Sequence, residues 1–409
     1  MTGPLEGVRV LDLSRYVSGP HATQMLGDFG ADVVKLEPPG TGDPSRLIDR
    51  MVGEPDSLFA IILNRSKRSL ALDLYGDEGK AVLRDLVRAA DVLVENFRPG
   101  TLERMGLGWE ALHALNPRLV LVRISGFGQT GPWAERAAYD PVIQALSGLQ
   151  ELTGPADGPP TVAGTIITDY LTGLHAVIGM LGALQARERT GEGQWVDVSM
   201  LDGTTTLLNT VMSEYFLFGR AKRRQGNKNP VSVPSHTFAC GCGGYVHITA
   251  ANDGDWRKIC TVMGRPELAD DARFATMEAR KINFVACERL VTDWTMGRDA
   301  QEVERLLLEQ RLATAKIATI PDVAENPQLA HRGHFVEVEH PIQGRIPVAG
   351  PAVRFSGTPV RSDFPVPVAG QHTDEVLAEW AGYDADRRET LAKAGAIGRA
   401  ANHDQGGKA

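Results

Sequence analysis

Asp169 is the side chain with the most chemistry to offer. It follows the apolar run Thr165-Ile166-Ile167-Thr168 and opens a long small-residue stretch, 170–187, that reads as a helix. A carboxylate there sits at a helix N-terminus, where unpaired backbone N–H groups and the positive end of the dipole favour its ionised form. An ionised carboxylate in a pocket is a competent nucleophile toward an activated acyl group. The simpler reading is an N-cap that only stabilises its helix. Other constellations fit their chemistry less well. Gly126-Phe127-Gly128-Gln129-Thr130-Gly131 matches the GxGxxG pattern of dinucleotide loops. Pro132 and Trp133 follow at once, however, and no helix opens within the glycines, so it reads as a loop that brings backbone close to something. Glu37 would suit a ribose hydroxyl, but the loop 15–20 lacks the glycines such a site requires. Cys240-x-Cys242, with His236 and His247 nearby, lacks zinc spacing and reads as a hairpin turn. HExxH, Walker A and GxSxG are absent, and no metal site is expected.

These groups have to be positioned by an α/β framework. Strand-like runs at 8–13, 32–36, 92–95 and 119–124 alternate with helical segments at 19–29, 78–89 and 102–114. That order implies a parallel sheet with helices on both faces, and ligands at the loops after Leu13, Leu36, Glu95 and Ile124. Residues 1–200 are read as the first part of a large α/β domain. The polar stretch that includes Arg220, Lys222, Arg223, Arg224 and Lys228 marks 201–230 as a linker. A smaller α+β domain is expected over 231–325, with strands at 236–239 and 245–250 and helices at 255–263, 281–296 and 300–309. Prolines at 321, 327, 341, 347, 351, 359, 365 and 367 exclude one packed helix or a central strand there. Residues 326–399 therefore read as a return linker that completes the large domain and contains a helix at 374–381. The small polar tail 400–409 reads as disordered.

Composition bounds the partners. With 409 residues, two domains are the natural expectation. Apolar content of 43% and charged content of 23% are those of a globular chain with a real core. A net charge of −8 argues against nucleic acid. Four cysteines in such a length read as reduced thiols in the cytoplasm. The start has neither a basic nor an apolar leader segment, and the apolar stretch 166–184, interrupted by Asp169, His175 and glycines, reads as a buried helix with no membrane role.

Several blocks, in order, resemble one family, the class III coenzyme A transferases of the formyl-CoA:oxalate and carnitine type. They are Val10-Leu11-Asp12-Leu13, Ser18-Gly19-Pro20, the segment 23–37, Gly42-Asp43-Pro44-Ser45-Arg46, Val94-Glu95-Asn96-Phe97-Arg98-Pro99-Gly100, 125–132, Tyr139-Asp140, the Asp169 helix and Gly370-Gln371-His372-Thr373-Asp374. The resemblance implies a large Rossmann-like domain built from both termini, a small central domain and an interlocked homodimer. It implies that Asp169 attacks an acyl-CoA, with Tyr139 beside it, and passes through an aspartyl-CoA thioester to a carboxylic acid acceptor. Coenzyme A is then part of the substrate, and no permanent cofactor is implied. By the same similarity Val17, Leu72, Asn96, Phe97, Arg104, Met105 and Arg136 lie along coenzyme A. Phe97 also fits as core, and Arg104 as a solvated helix residue.

Departures refine this reading. Pro38 and Ala137 stand where some relatives carry basic residues, although Arg136 adjoins Ala137, so phosphate contacts are expected to be rearranged. Related α-methylacyl-CoA racemases use a His in a Gly-His-Asp segment. Here the segment is Ala138-Tyr139-Asp140, which favours transfer over racemisation. A non-catalytic CoA-binding or nucleotide-binding protein on the same fold is the alternative of another class. Val17 in place of a glutamine, and the lack of a glycine run, argue against a formyl/oxalate pair. The basic segment 220–228 suits the distal carboxylate of a succinyl-type donor, or is solvated linker.

Overall fold

In the computed structural model of the chain the described residues are 3–51, 54, 56–229, 231–361 and 363–400. Six short runs rich in valine and leucine form the frame: β1 (Arg9–Asp12), β2 (Asp32–Glu37), β3 (Lys67–Leu72), β4 (Val92–Glu95), β5 (Val120–Ser125) and β6 (Trp195–Ser199). They pair in parallel in the order β3-β2-β1-β4-β5-β6. The strand Ile397–Gly398 adds antiparallel to the outer edge of β3. Successive strand residues point to opposite faces, and the sequence sorts them by shape. Leu11, Val34, Leu36, Leu70, Leu93 and Leu121 fill one face, under the helices Asp77–Ala89 and Thr373–Ala381. Val10, Val33, Val92, Val94, Val120 and Val122 fill the other.

Four helices position the site: α1 (Ser18–Asp28), α2 (Asp140–Leu146), α3 (Ile167–Thr190) and α4 (Asn209–Phe218). Helices α1 and α3 cover the valine face through Ala22, Leu26, Ala176, Val177 and Met180. Among the described residues, α3 is the one helix long and apolar enough to cross a bilayer. Its buried stripe packs on α1 and the sheet, while Leu174, Ile178 and Leu181 are exposed.

The chain divides into two compact units. The first, just described, takes its described residues from Met1–Gln150, Val162–Ala221 and Gly333–Ala409. The second takes them from Glu151–Thr161 and Lys222–Arg332. Its antiparallel sheet comprises β7 (Ser235–Ala239), β8 (Tyr245–Thr249) and β9 (Ala313–Lys316), in that order. Val246, Ile248, Trp256, Ile259, Val291 and Leu307 form its core. Arg280 is fully buried there and donates to the carbonyls of Val233 (2.6 Å) and Phe274 (2.8 Å) and to Asp253 (2.9 Å). Those bonds satisfy a guanidinium that would otherwise be costly to bury.

Several elements differ from expectation. Residues 201–218 are no linker: α4 lies within the span expected to be one and the helix Met200–Thr205 runs into it, both in the first unit, while the change of unit falls in the basic stretch that begins at Arg220. The return segment holds an antiparallel hairpin, Phe335–His340 with Gly344–Ala349, with Pro347 opposite Glu337. A two-stranded ribbon leaves each strand one unpaired edge, so proline's missing N–H is tolerated there. The helix expected over 102–114 is two, Thr101–Arg104 and Trp109–Leu115, interrupted where Gly106 takes φ +70°. The disorder expected for 400–409 falls, beyond Ala400, outside the described residues.

Candidate active site

The loops at the carboxyl ends of β1, β4 and β5 converge with the start of α3. Behind β1, Asp12 is fully buried and accepts from Lys67 (2.9 Å), Thr23 (2.7 Å) and the Ser14 amide (3.0 Å). Burial alone would raise its carboxyl, but Lys35 and Lys67 outweigh it and hold the group well below the usual carboxylate range. Lys35 in turn pairs with Asp43 (2.9 Å) and donates to the Ser14 carbonyl. Gly19 lies so close to Ser14 that a Cβ there would collide with it. The loop is thus fixed at both ends. Tyr16 holds φ +65°, a left-handed conformation rarely adopted by a non-glycine residue. Across the loop Asn96 clasps Arg15 twice, accepting from its N–H and donating to its carbonyl, both at 2.7 Å. The Arg15 guanidinium lies 5.1 Å from the Phe97 ring centroid.

These residues line a cleft of about 350 Å³. Its walls include Arg15, Tyr16, Ser18, Asn96, Phe97, Arg98, Gly126, Arg136, Tyr139 and Asp169. A narrow cavity lined by Leu13, Leu36, Leu72 and Tyr75 shares Arg15 and Phe97 with it. Gly126, first of the GxGxxG glycines, approaches so closely that a Cβ would collide with Ala138. The close backbone approach expected of that loop is to the 136–139 wall of the cleft. Glu37 also lines that narrow cavity, but it is buried and its Oε1 already accepts from Arg46 and Ser69 (both 2.7 Å).

Of the residues singled out in the sequence, Asp169, Tyr139, Asn96, Phe97 and Arg136 meet in this cleft, and Leu72 lines the adjoining cavity. Val17 is buried at the N-cap of α1. Arg104 donates to Thr101 (2.9 Å) outside the cleft lining, and Met105 packs on the leucine core. Arg15, Arg98 and Ser18 join the lining without having been singled out. The signal for Arg15 was its place in the loop directly after the first strand. Arg136 stacks over Trp133 (5.1 Å) and Phe127 (5.9 Å). Arg224 of the basic segment is engaged by Glu151 at 2.6 Å.

Asp169 itself departs from expectation in two ways. Helix α3 begins at Ile167, so Asp169 is its third residue and not its cap. Asp140 of α2 supplies the cap, accepting from the Thr168 amide (2.6 Å), the Thr168 hydroxyl (2.7 Å) and the Asp169 amide (3.2 Å). The amides through which the helix could have bonded an ionised Asp169 carboxyl are therefore taken. Burial first, and then the nearby charge of Asp140, raise it to about 6, against hydrogen bonds from the Ser18 side chain and backbone. The result is a carboxylate that is largely ionised near neutral pH yet more basic, and so more nucleophilic, than an ordinary aspartate.

The sequence profile of CoA-transferase family III matches residues 5–373. The chain is 39% identical to the succinyl-CoA–D-citramalate CoA-transferase of Chloroflexus aurantiacus, over 94% of this chain and 95% of that one. It is 38% identical to the formyl-CoA:oxalate CoA-transferase of Streptomyces avermitilis, over 97% of this chain and all of that one. Among solved structures, a CaiB/BaiF family protein from Brucella suis superposes with a TM-score of 0.85 at 36% identity, covering 93% of this chain and 100% of that one. A profile matched over nearly the whole length, with such relatives, makes the chain a member of CoA-transferase family III, and an enzyme of the transferase class.

Proposed function

We propose that this enzyme moves coenzyme A from a dicarboxylic acyl-CoA, of which succinyl-CoA is the simplest, to a carboxylic acid acceptor through covalent chemistry at Asp169. The observation that carries the proposal is the placement of Asp169, whose helix amides are taken by Asp140, in the wall of a cleft of about 350 Å³ that is also lined by Arg15, Arg98 and Arg136. The Asp169 carboxylate attacks the thioester carbonyl, and the C–S bond breaks to give an acyl-aspartyl anhydride and coenzyme A thiolate. The thiolate attacks the aspartyl carbonyl, releasing the donor acid as a carboxylate and leaving an aspartyl-CoA thioester. The acceptor carboxylate attacks that thioester, and the thiolate it frees then attacks the acceptor's acyl carbon. Asp169 is restored. One thioester is exchanged for another, so the cycle is near thermoneutral, and carboxylate attack divides one hard exchange into easier steps.

Ser18 lines the cleft beside Asp169 and favours its ionised form, and Tyr139, 66% exposed at the cleft wall, flanks the reacting centre. Arg15, Arg98 and Arg136 offer cations for the phosphates of coenzyme A and the distal carboxylate of the acid. That moves the distal-carboxylate role from the 220–228 segment to the cleft. The succinyl-CoA donor in the name of the Chloroflexus relative supports the dicarboxylic class.

The proposal includes a homodimer, interlocked as in the family resemblance. Phe216, Leu217 and Phe218 on α4 are each more than 60% exposed and Ile178 on α3 is 66% exposed, apolar side chains that a partner chain would cover. The four cysteines are free thiols, in keeping with a cytoplasmic setting. The test is Asp169→Ala together with hydroxylamine trapping. The wild type incubated with acyl-CoA should be modified at Asp169. The alanine variant should lose transfer by about three orders of magnitude or more while still binding coenzyme A. Turnover like the wild type's in that variant, or α-proton exchange with no trapped adduct, would overturn the proposal.

A further inference from the structure

An α-helix leaves its first amides without partners, and a carboxylate in the first turn ordinarily turns back to accept from them. Asp169 is so placed, yet every such donor at the start of α3 is taken. The Ile167 amide donates to the Thr165 carbonyl (2.9 Å) and the Tyr170 amide to the Ile166 carbonyl (3.3 Å). Those of Thr168 and Asp169 donate to Asp140. Asp140 is 3% exposed and is itself locked, because its second oxygen accepts from the Gln144 side-chain amide. Gln144, fully buried, accepts in turn from the Ala163 amide (2.9 Å), in the segment that leads into α3.

We propose that Asp140 is the positioning residue of this site: by occupying the α3 amides it keeps the Asp169 carboxylate from capping its own helix and leaves it to the cleft. This rests on the proposed function, in which Asp169 is the nucleophile. A second effect follows from the same geometry. Asp140 sets a like charge beside Asp169, which raises the proton affinity of the nucleophile and with it its strength as an attacking group. The other polar groups around Asp169 are Ser18 of α1, Tyr139 at the N-cap of α2, Tyr170 with His21 edge-on at 4.8 Å, and Arg15, Arg98 and Arg136 of the cleft. Among those acting on the Asp169 carboxyl, Asp140 is the one that raises its pKa by charge. Asp140 also begins α2 immediately after Tyr139, so one anchor sets both residues relative to the start of α3.

The experiment separates the geometric effect from the electrostatic one. Asp140→Asn keeps the shape and an accepting oxygen but removes the charge. The acidic limb of its kcat/KM profile, measured with one acyl-CoA, should move downward by about half a pH unit or more. Asp140→Ala leaves the Thr168 and Asp169 amides open, so Asp169 turns back onto them. Its kcat should fall about a hundredfold or more, with KM for the acyl-CoA within about threefold and hydroxylamine trapping reduced in step. An Asn variant whose acidic limb coincides with the wild type's, or an Ala variant with undiminished kcat, overturns the role of Asp140. If the alanine variant does not fold, the profile of the Asn variant decides alone. A wild type that is not trapped at Asp169 refutes the nucleophile itself. A trapped wild type beside an unmoved Asn profile refutes Asp140 only.

Discussion

Asp169→Asn should stabilise the protein at neutral pH, because the native structure holds this carboxyl where its charge is unwelcome. Burial and Asp140 raise the group from an ordinary 3.8 to about 6 in the folded state. A folded-state value above the unfolded one means that the native protein binds the proton more tightly, so ionisation weakens the native state. The penalty is absent well below pH 3.8, grows between 3.8 and 6, and is complete above 6. At about 1.4 kcal/mol per tenfold change in proton affinity, the full penalty is about 3 kcal/mol. An asparagine side chain has no charge to place there and is nearly the same shape. Urea unfolding of the ligand-free variant and wild type, run in parallel, should show the variant more stable by about 2–3 kcal/mol at about pH 7.5 and by roughly half that at about pH 5. Transfer activity should be lost in the same variant, as when function is held against stability at a nucleophile. A variant no more stable than the wild type at neutral pH, or a gap that does not narrow on acidification, would refute the reasoning.

Two further outcomes are expected. Succinyl-CoA should exceed butyryl-CoA as donor by about ten- to a hundredfold in kcat/KM, the worth of one charge-assisted hydrogen bond at the far end of an otherwise equal chain. Of Arg15, Arg98 and Arg136 neutralised one at a time, the one that meets the distal carboxylate should cut kcat/KM for succinyl-CoA far more than for butyryl-CoA, whereas one that meets a coenzyme A phosphate should lower both alike. Equal rates on the two donors in the wild type would end the dicarboxylic proposal. Two differently tagged preparations of the folded enzyme, mixed for days, should give no mixed dimer, whereas co-expression or joint refolding should. Rapid exchange, or a monomer by light scattering at micromolar concentration, would count against the interlocked assembly.

What the sequence determined by itself is what local pattern can carry. The β-branched runs at β1, β2, β4 and β5 and the helices between them follow from side-chain periodicity within a few residues, and so does the parallel sheet they imply. The Gly126 loop was readable as a close backbone approach, because only glycine tolerates one. Asp169 was legible as a carboxylate at a helix start. Its role there was not, because the group that takes the helix amides comes from Asp140, 29 positions earlier. The same is true of the Asn96 clasp on Arg15, which spans 81 positions, and of the Lys67 bond to Asp12, which spans 55. The hairpin in the proline-rich return segment was obscured by residues that exclude a central strand but not a ribbon. Hydrogen-bond partners distant in sequence are chosen by which loops the folded sheet brings together, and a charge is tuned only by neighbours that arrive with folding. The chemical identity of the nucleophile therefore lay in the chain, and its orientation and proton affinity were decided by tertiary contact.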